Sequence, residues 1–421
     1  MNVEIVTIGD ELLLGFTIDT NGAHLARELA QCGIAVVRRA SCGDSAESIA
    51  EAVNDALERT GAVITTGGLG PTSDDLTKDS IAAIFGREMF LDESIVEGLK
   101  QLWKSRGWPG ELPKANWQQA RIPRGATILT NRHGSAPGIW LEDERGRWVA
   151  MLPGVPREMR GMLADELLPI IEKRAAGTND VTRKTIVSRT LRTTGMGESM
   201  IADKLGAHAK NPEGVSLAYL PGWEGTDLRL TSRDRTAAEA AVAIERAADA
   251  LRAVLGPIIY GEGKDDLAAA VLALLRAHKM TVAVAESCTG GLLGARITEI
   301  PGSSDVMLGG IIAYANDVKE QQLGVLKATM VEHGAVSEQT VREMATGVRS
   351  RFGASIGIAI SGVAGPGGGS PEKPVGTVCF GLDVNGEVTS VRSSMVGDRT
   401  EIRQRAAQAA LNAIRRFVEV Q

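Results

Sequence analysis

The chain has 421 residues, room for two to four domains at roughly 100–200 residues each. Its 43% hydrophobic and 23% charged residues fit a soluble globular protein, and a formal charge of −6 argues against direct nucleic-acid or anionic-membrane binding. Few aromatics (6 Phe, 6 Trp, 3 Tyr) make base-stacking platforms unexpected, and four cysteines without a CxxC exclude a disulfide scaffold or structural zinc site.

Residues 3–8 form a short apolar run that reads as a buried strand, followed by a helix over about 21–31 and a second strand at 34–39. Asp44 and Glu47 have capping-box spacing before Ile49, Val53, Ala56 and Leu57, which share one helical face. A third strand at 62–65 runs into a glycine loop. Strand–helix alternation predicts parallel strands with right-handed crossovers, and ligands then bind beyond the strands' carboxyl ends. A small-polar stretch at 175–180 marks the first boundary. Residues 181–260 read as a small α+β module: a strand at 184–189, a helix at 198–205, a hairpin of 215–220 with 227–231, and an Ala-rich helix over 237–254. The second boundary is the Gly-rich stretch 256–266. Beyond it, Leu267, Val271, Leu274 and Leu275 mark a helix, with strands at 281–285, 308–314 and 354–360. Val341, Met344, Ala345 and Val348 mark another helix, Asn385-Gly386 a hairpin turn, and 398–417 a long final helix. The fold class is therefore α/β: two separate α/β domains, 1–172 and 262–421, joined by a small α+β module at 181–256. No apolar stretch approaches a membrane span and no leader pattern opens the chain, so a cytoplasmic protein is expected, without membrane contact.

Four strand-end motifs carry the chemistry. Asp10 and Glu11, in GDELLLG, follow the first strand, with Asn21 shortly after. Gly67, Gly68, Gly70, Thr72, Asp74 and Asp75 lie in TTGGLGPTSDD after the third strand. Glycines let backbone N–H groups approach an anion, and two acid pairs on neighbouring strand ends would hold a divalent metal between protein and phosphate. Plain helix capping is the alternative for each pair. The Ser135 loop (GSAPG) and the LPGVPR loop complete this rim. The third motif is Ser287-Cys288-Thr289-Gly290-Gly291, three nucleophile-capable side chains ahead of a glycine turn whose N–H groups suit an oxyanion. The five histidines form no Ser-His-Asp pattern. Lys319, after Tyr314 at the next strand end, would serve as base if desolvated beside a serine; the competing reading is a helix-capping serine and a surface lysine. The fourth, from Ser361 through Gly365 to Gly376, is a glycine loop without the P-loop pattern. Gly222-Trp223-Glu224-Gly225 matches a KH-type GxxG but carries a glutamate and lies between two strands, so it reads as structural.

In this order the motifs resemble the CinA family, also called competence/damage-inducible protein A, across essentially the whole chain. GDELLLG…DTN and GGLGPTSDD look like its molybdopterin-binding-like N-terminal domain, and 181–260 like its KH-type region. AESCTGG, YANDVK, HGAVSE and GVAGPGGGSPEKPVGTV are similar to its C-terminal nicotinamide-nucleotide amidase domain. The resemblance implies deamidation of nicotinamide mononucleotide by the C-terminal domain without a cofactor. It implies hydrolysis of ADP-ribose to AMP and ribose 5-phosphate by the N-terminal domain with a divalent metal (Mg, Mn or Co). The alternative is an N-terminal domain that only binds a nucleotide or pterin. By the motif, Ser287 corresponds to the catalytic serine, Lys319 to its partner and Tyr314 to an active-site tyrosine. Arg399 or Arg403 is expected to neutralise the substrate phosphate. Two motifs depart from the family: Asn131-Arg132-His133-Gly134-Ser135 replaces the usual Asn-Pro-x-Gly-Thr, and Ser361 stands where Thr is usual. The partners expected are these small nucleotides and a second copy of the chain, with no nucleic acid.

Overall fold

A computed structural model describes residues 1–176, 185–210 and 212–420. Residues 177–180 of the expected first boundary, and 181–184 at the start of the middle module, lie outside them. The chain divides into two compact units, residues 1–187 with 232–241, and 188–231 with 242–421.

The first unit contains strands β1 (Asn2–Ile8), β2 (Ala35–Cys42), β3 (Ala62–Thr66), β4 (Thr127–Leu129), β5 (Gly138–Glu142) and β6 (Trp148–Leu152). They form one sheet in the order β2-β1-β3-β6-β5-β4. The pairings of β1 with β2 and β3, and of β3 with β6, are parallel; β5 and β4 run antiparallel. From Val3 onward every residue of β1 is buried, as expected for a sheet covered on both faces. Helices α1 (Thr20–Gln31) and α2 (Ala46–Thr60) are among the elements packed on it. The expected capping box does not form. Ser45 is the N-cap of α2 and accepts the Ser48 N–H, while Asp44 turns to the Asp10 N–H at 2.9 Å. A serine one residue nearer the helix took the cap and left the aspartate for the neighbouring loop.

The middle module has β7 (Thr185–Thr193), helix α3 (Glu198–Leu205), β8 (Ser216–Pro221), β9 (Thr226–Arg235), helix α4 (Ala237–Leu255) and β10 (Ile259–Glu262), with strand order β8-β9-β7-β10. Its GxxG turn is engaged within the second unit. The Arg296 guanidinium stacks 5.2 Å from the Trp223 ring and lies 3.6 Å from the Glu224 carboxylate.

The C-terminal domain has helix α5 (Leu267–Ala277), β11 (Val282–Glu286), helix α6 (Leu292–Thr298), β12 (Met307–Ile312), helix α7 (Asn316–Leu323), helix α8 (Glu338–Phe352), β13 (Ile356–Gly362), β14 (Thr377–Val384), β15 (Glu387–Ser394) and helix α9 (Arg399–Glu419). Its sheet runs β12-β11-β13-β14-β15, with the first three strands parallel and the last two antiparallel. One layer of core lies under α5 and α9, built on Val284, Ile358, Ile360, Leu411 and Ile414. The other lies under α8, built on Ala283, Ala285, Ala359, Val341 and Met344. Close packing leaves Gly381 of β14 no room for a side chain: a Cβ there would sit 2.1 Å from the Val341 carbonyl oxygen. Gly381→Ala is expected to destabilise this unit by about 3 kcal/mol, read as a lower denaturant midpoint with unchanged slope.

Candidate functional site

The parallel strands β11 and β12 end side by side, and each feeds a turn that carries chemistry. β11 stops at Glu286, so Ser287 stands immediately beyond its carboxyl end, fixed by donation from its N–H to the Ile360 carbonyl at 2.9 Å. Gly290 (φ +60) and Gly291 (φ +95) supply the left-handed conformations that swing the chain from this turn into α6. β12 ends at Ile312, and Lys319 sits on α7 rather than at the strand tip. Its side chain is 1% exposed and Ser287 is 9% exposed.

Lys319 Nζ lies 3.1 Å from Ser287 Oγ, 2.8 Å from the Ala313 carbonyl oxygen and 3.2 Å from that of Tyr314. No carboxylate pairs with it among the described residues, and burial pushes its pKa below the ordinary lysine value. A neutral amine donates two protons and keeps one lone pair. With the two carbonyls taking the protons, the lone pair is left for the Ser287 hydroxyl. The geometry therefore supports a serine–lysine nucleophile and base. Cys288 is 6% exposed, and burial pushes its thiol up to about 11, which disfavours the thiolate.

The remaining expected residues divide. The Tyr314 hydroxyl accepts from Arg399 Nη2 at 3.2 Å, and Arg399 Nη1 donates to the Gly365 carbonyl at 2.7 Å. Thus Tyr314 meets Lys319 through its backbone carbonyl, while its phenol belongs to an exposed rim with Arg399 and Gly365. Arg403 donates from Nε and Nη2 to the Thr289 carbonyl, bracing the nucleophile turn. Buried Ser361 donates to the Ala335 carbonyl at 2.7 Å, tying two loops together. The expectation that Gly290 and Gly291 supply oxyanion donors is corrected. The Gly290 N–H donates to the Ser287 carbonyl (3.1 Å) and the Gly291 N–H to Glu286 Oε2 (3.0 Å), because a turn this tight satisfies its own amides. Glu286 was missed in the sequence. An acid closing an otherwise apolar buried strand was the signal for it.

In the N-terminal domain the rim is present, and the N–H groups of Gly67, Gly70 and Thr72 are bonded within it. Gly67 (φ +114) donates to the Leu152 carbonyl, and a Cβ on it would sit 2.1 Å from the Ile8 oxygen. Gly68 faces Thr77 so closely that a Cβ would sit 2.1 Å from its hydroxyl. Asp75 accepts from the Gly70 N–H (2.7 Å), the Thr72 N–H (2.8 Å) and the Thr72 hydroxyl (2.5 Å). Asn21 donates to Thr66 Oγ1 and the Gly154 carbonyl, leaving its own Oδ1 buried without a partner beside Glu11 in a cavity of about 110 Å³. Ser135 Oγ accepts from Gln119 at 3.2 Å. The four-carboxylate metal site expected of Asp10, Glu11, Asp74 and Asp75 is not assembled. Among the described residues no three His, Cys, Asp or Glu side chains gather to hold a metal. Asp75 is consumed as a turn cap, the Asp10 and Asp44 carboxylates each accept the other's backbone N–H, and Asp74 is exposed. As placed, no three of these carboxylates form a ligand group, although Asp10, Glu11 and Asp74 lie near enough to Asp44 to help burial push its carboxyl pKa up.

The fold and site define a three-part α/β chain in which a KH-type module joins two separate domains, the second carrying a buried serine–lysine pair. Residues 4–173 match the family model described as a probable molybdopterin binding domain, 188–261 the damage-inducible protein CinA KH domain, and 264–418 the CinA C-terminal domain. The chain is 60% identical to a CinA-like protein of Gemmatimonas aurantiaca over 99% of its own length and 96% of that protein's. It is 41% identical to a CinA-like protein of Kosmotoga olearia, covering 99% and 98%. A solved structure, the competence/damage inducible protein CihA from Agrobacterium tumefaciens, matches at 41% identity over 36% of this chain and 93% of that one, with a TM-score of 0.35. The chain belongs to the CinA family. None of its described helices is long and apolar enough to cross a membrane.

Proposed function

We propose that this protein is an amidohydrolase whose C-terminal domain deamidates nicotinamide mononucleotide to nicotinate mononucleotide and ammonia. The observation that carries this reading is the buried Lys319 amine, paired with no carboxylate among the described residues and 3.1 Å from Ser287 Oγ. Neutral Lys319 takes the Ser287 proton as Oγ attacks the carboxamide carbon. The tetrahedral intermediate collapses, the carbon–nitrogen bond breaks, and Lys319 returns the proton to the departing ammonia. Water then hydrolyses the acyl-serine ester with Lys319 again as base, releasing the carboxylate. Arg399, on the exposed rim, meets the substrate phosphate.

For the N-terminal domain, we infer a nucleotide- or pterin-binding module in preference to a metal-dependent ADP-ribose hydrolase. The observation that favours this is the engagement of the Asp75 carboxylate by three donors of its own turn. Both readings are tested by incubating the intact chain with nicotinamide mononucleotide and ADP-ribose, with and without magnesium, manganese or cobalt. Ammonia release insensitive to chelator, with no AMP, is expected. Absence of ammonia would overturn the deamidase, and metal-dependent AMP would overturn the binding-module reading.

A further inference from the structure

Three carboxylates are fully buried among the described residues, and two of them have an arginine. Glu4, 2% exposed, is held by Arg59 at 2.8 and 2.9 Å, and Asp383 lies 2.7 Å from Arg349 Nε. Glu286, 1% exposed, has no cationic partner among the described residues, its acceptors being met by backbone amides alone. Its Oε2 accepts the N–H groups of Gly291 and Leu293, both at 3.0 Å, and its Oε1 accepts that of Gly294 at 2.8 Å. A carboxylate taken out of water is costly, and here three amide donors at the positive end of a helix offset that cost. Elsewhere in this domain the caps are local: Asp266 and Asp398 each cap a helix from its own N-cap position. Glu286 instead reaches across from the strand side of the nucleophile. The segment 287–290 is thereby closed into a loop anchored at both ends, with the nucleophile inside it.

That closure decides which main-chain donors remain. The Ser287 N–H is taken by Ile360, the Gly290 N–H by Ser287, and the Gly291 N–H by Glu286. Neither the Cys288 nor the Thr289 N–H is bonded to another residue, the Cys288 N–H facing only its own thiol, and Thr289 is wholly buried. Cys288, directly after the nucleophile, is then the amide left to meet a negative oxygen formed on the substrate. We propose that Glu286 is a positioning residue for deamidation: its counter-ion-free carboxylate locks the nucleophile turn so that the Cys288 N–H serves as the oxyanion donor. This rests on the deamidase reading of the same site.

The test measures ammonia release from nicotinamide mononucleotide by the intact chain and its Glu286→Gln and Glu286→Asp variants, alongside thermal melting. Gln keeps the length but brings two donors to face amide donors; Asp keeps the charge but falls a methylene short. Misplacing the turn is expected to lower kcat by roughly 10²-fold in a folded variant while KM stays within about twofold, since Arg399, which meets the phosphate, lies on another element. A folded variant of either kind with wild-type kcat, or one whose loss lies in KM alone, overturns the proposal. Failure of both variants to fold would assign Glu286 to folding and overturn it equally. An active wild type with unaffected variants sinks only this proposal, whereas an inactive wild type sinks the deamidase reading beneath it.

Discussion

Ser287→Ala is expected to lower nicotinamide mononucleotide deamidation by roughly four orders of magnitude or more, because removing the nucleophile of a unit that acts together abolishes nearly all of its contribution. The fold should survive the change. Ser287 lies at the end of β11, its backbone N–H bond to Ile360 does not involve the side chain, and the substitution creates almost no cavity. The rival nucleophile is one residue away. Cys288 is buried, and its thiol is pushed up to about 11, so alkylation at neutral pH should leave activity unchanged. Near-full activity in Ser287→Ala, abolished in turn by a thiol reagent, would move the chemistry to the sulfur.

The second large effect concerns Lys319. Lys319→Met should lower kcat by roughly 10³-fold, the contribution of a positioned general base, while keeping the volume of a buried unbranched chain. Burial lowers the lysine pKa in the folded state. Activity should therefore rise with pH through that lowered value, well before an ordinary solvated lysine would lose its proton. Stability moves in the same direction. Below the folded-state pKa both the folded and unfolded chains carry the proton, and the fold bears the full cost of a buried ammonium. Between the folded-state pKa and the ordinary lysine value the unfolded chain binds a proton that the folded chain does not, so stability rises with pH. The methionine variant should consequently melt at a higher temperature than the wild type at neutral pH and below, and the gap should close as pH rises through that window. An alkaline limb at the ordinary lysine position, or a variant less stable than wild type at low pH, would contradict the assignment.

Much of this was legible in the residues, for identifiable reasons. β1, β3, β11 and β13 are buried on both faces, so they appear as mainly apolar runs, broken in β1 only by Glu4 and Thr7, and their ends fell where the motifs began. The Ser287 turn was marked by its glycines, whose positive φ no other residue adopts cheaply. What the pattern hid was direction. YANDVK read as a strand end, but Ala315 is an N-cap, and Lys319 reaches the serine from the first turns of a helix. A lysine on a short polar helix looks solvated in sequence; only the tertiary fold, which turns it towards the β11–β12 junction, buries it. The acid pairs of the N-terminal domain misled in the opposite sense. Asp75 has the residue type of a metal ligand, yet three donors from its own turn claim its carboxylate. Spacing alone does not distinguish a ligand from a cap, because both place a carboxylate beside a glycine loop.

The most direct test of the serine–lysine account is peptide mass spectrometry on the intact chain, acid-quenched during turnover of nicotinamide mononucleotide. The account predicts a nicotinate-mononucleotide acyl adduct on Ser287 that is absent from Ser287→Ala. An adduct on Cys288, or steady ammonia release from the alanine variant, would contradict it.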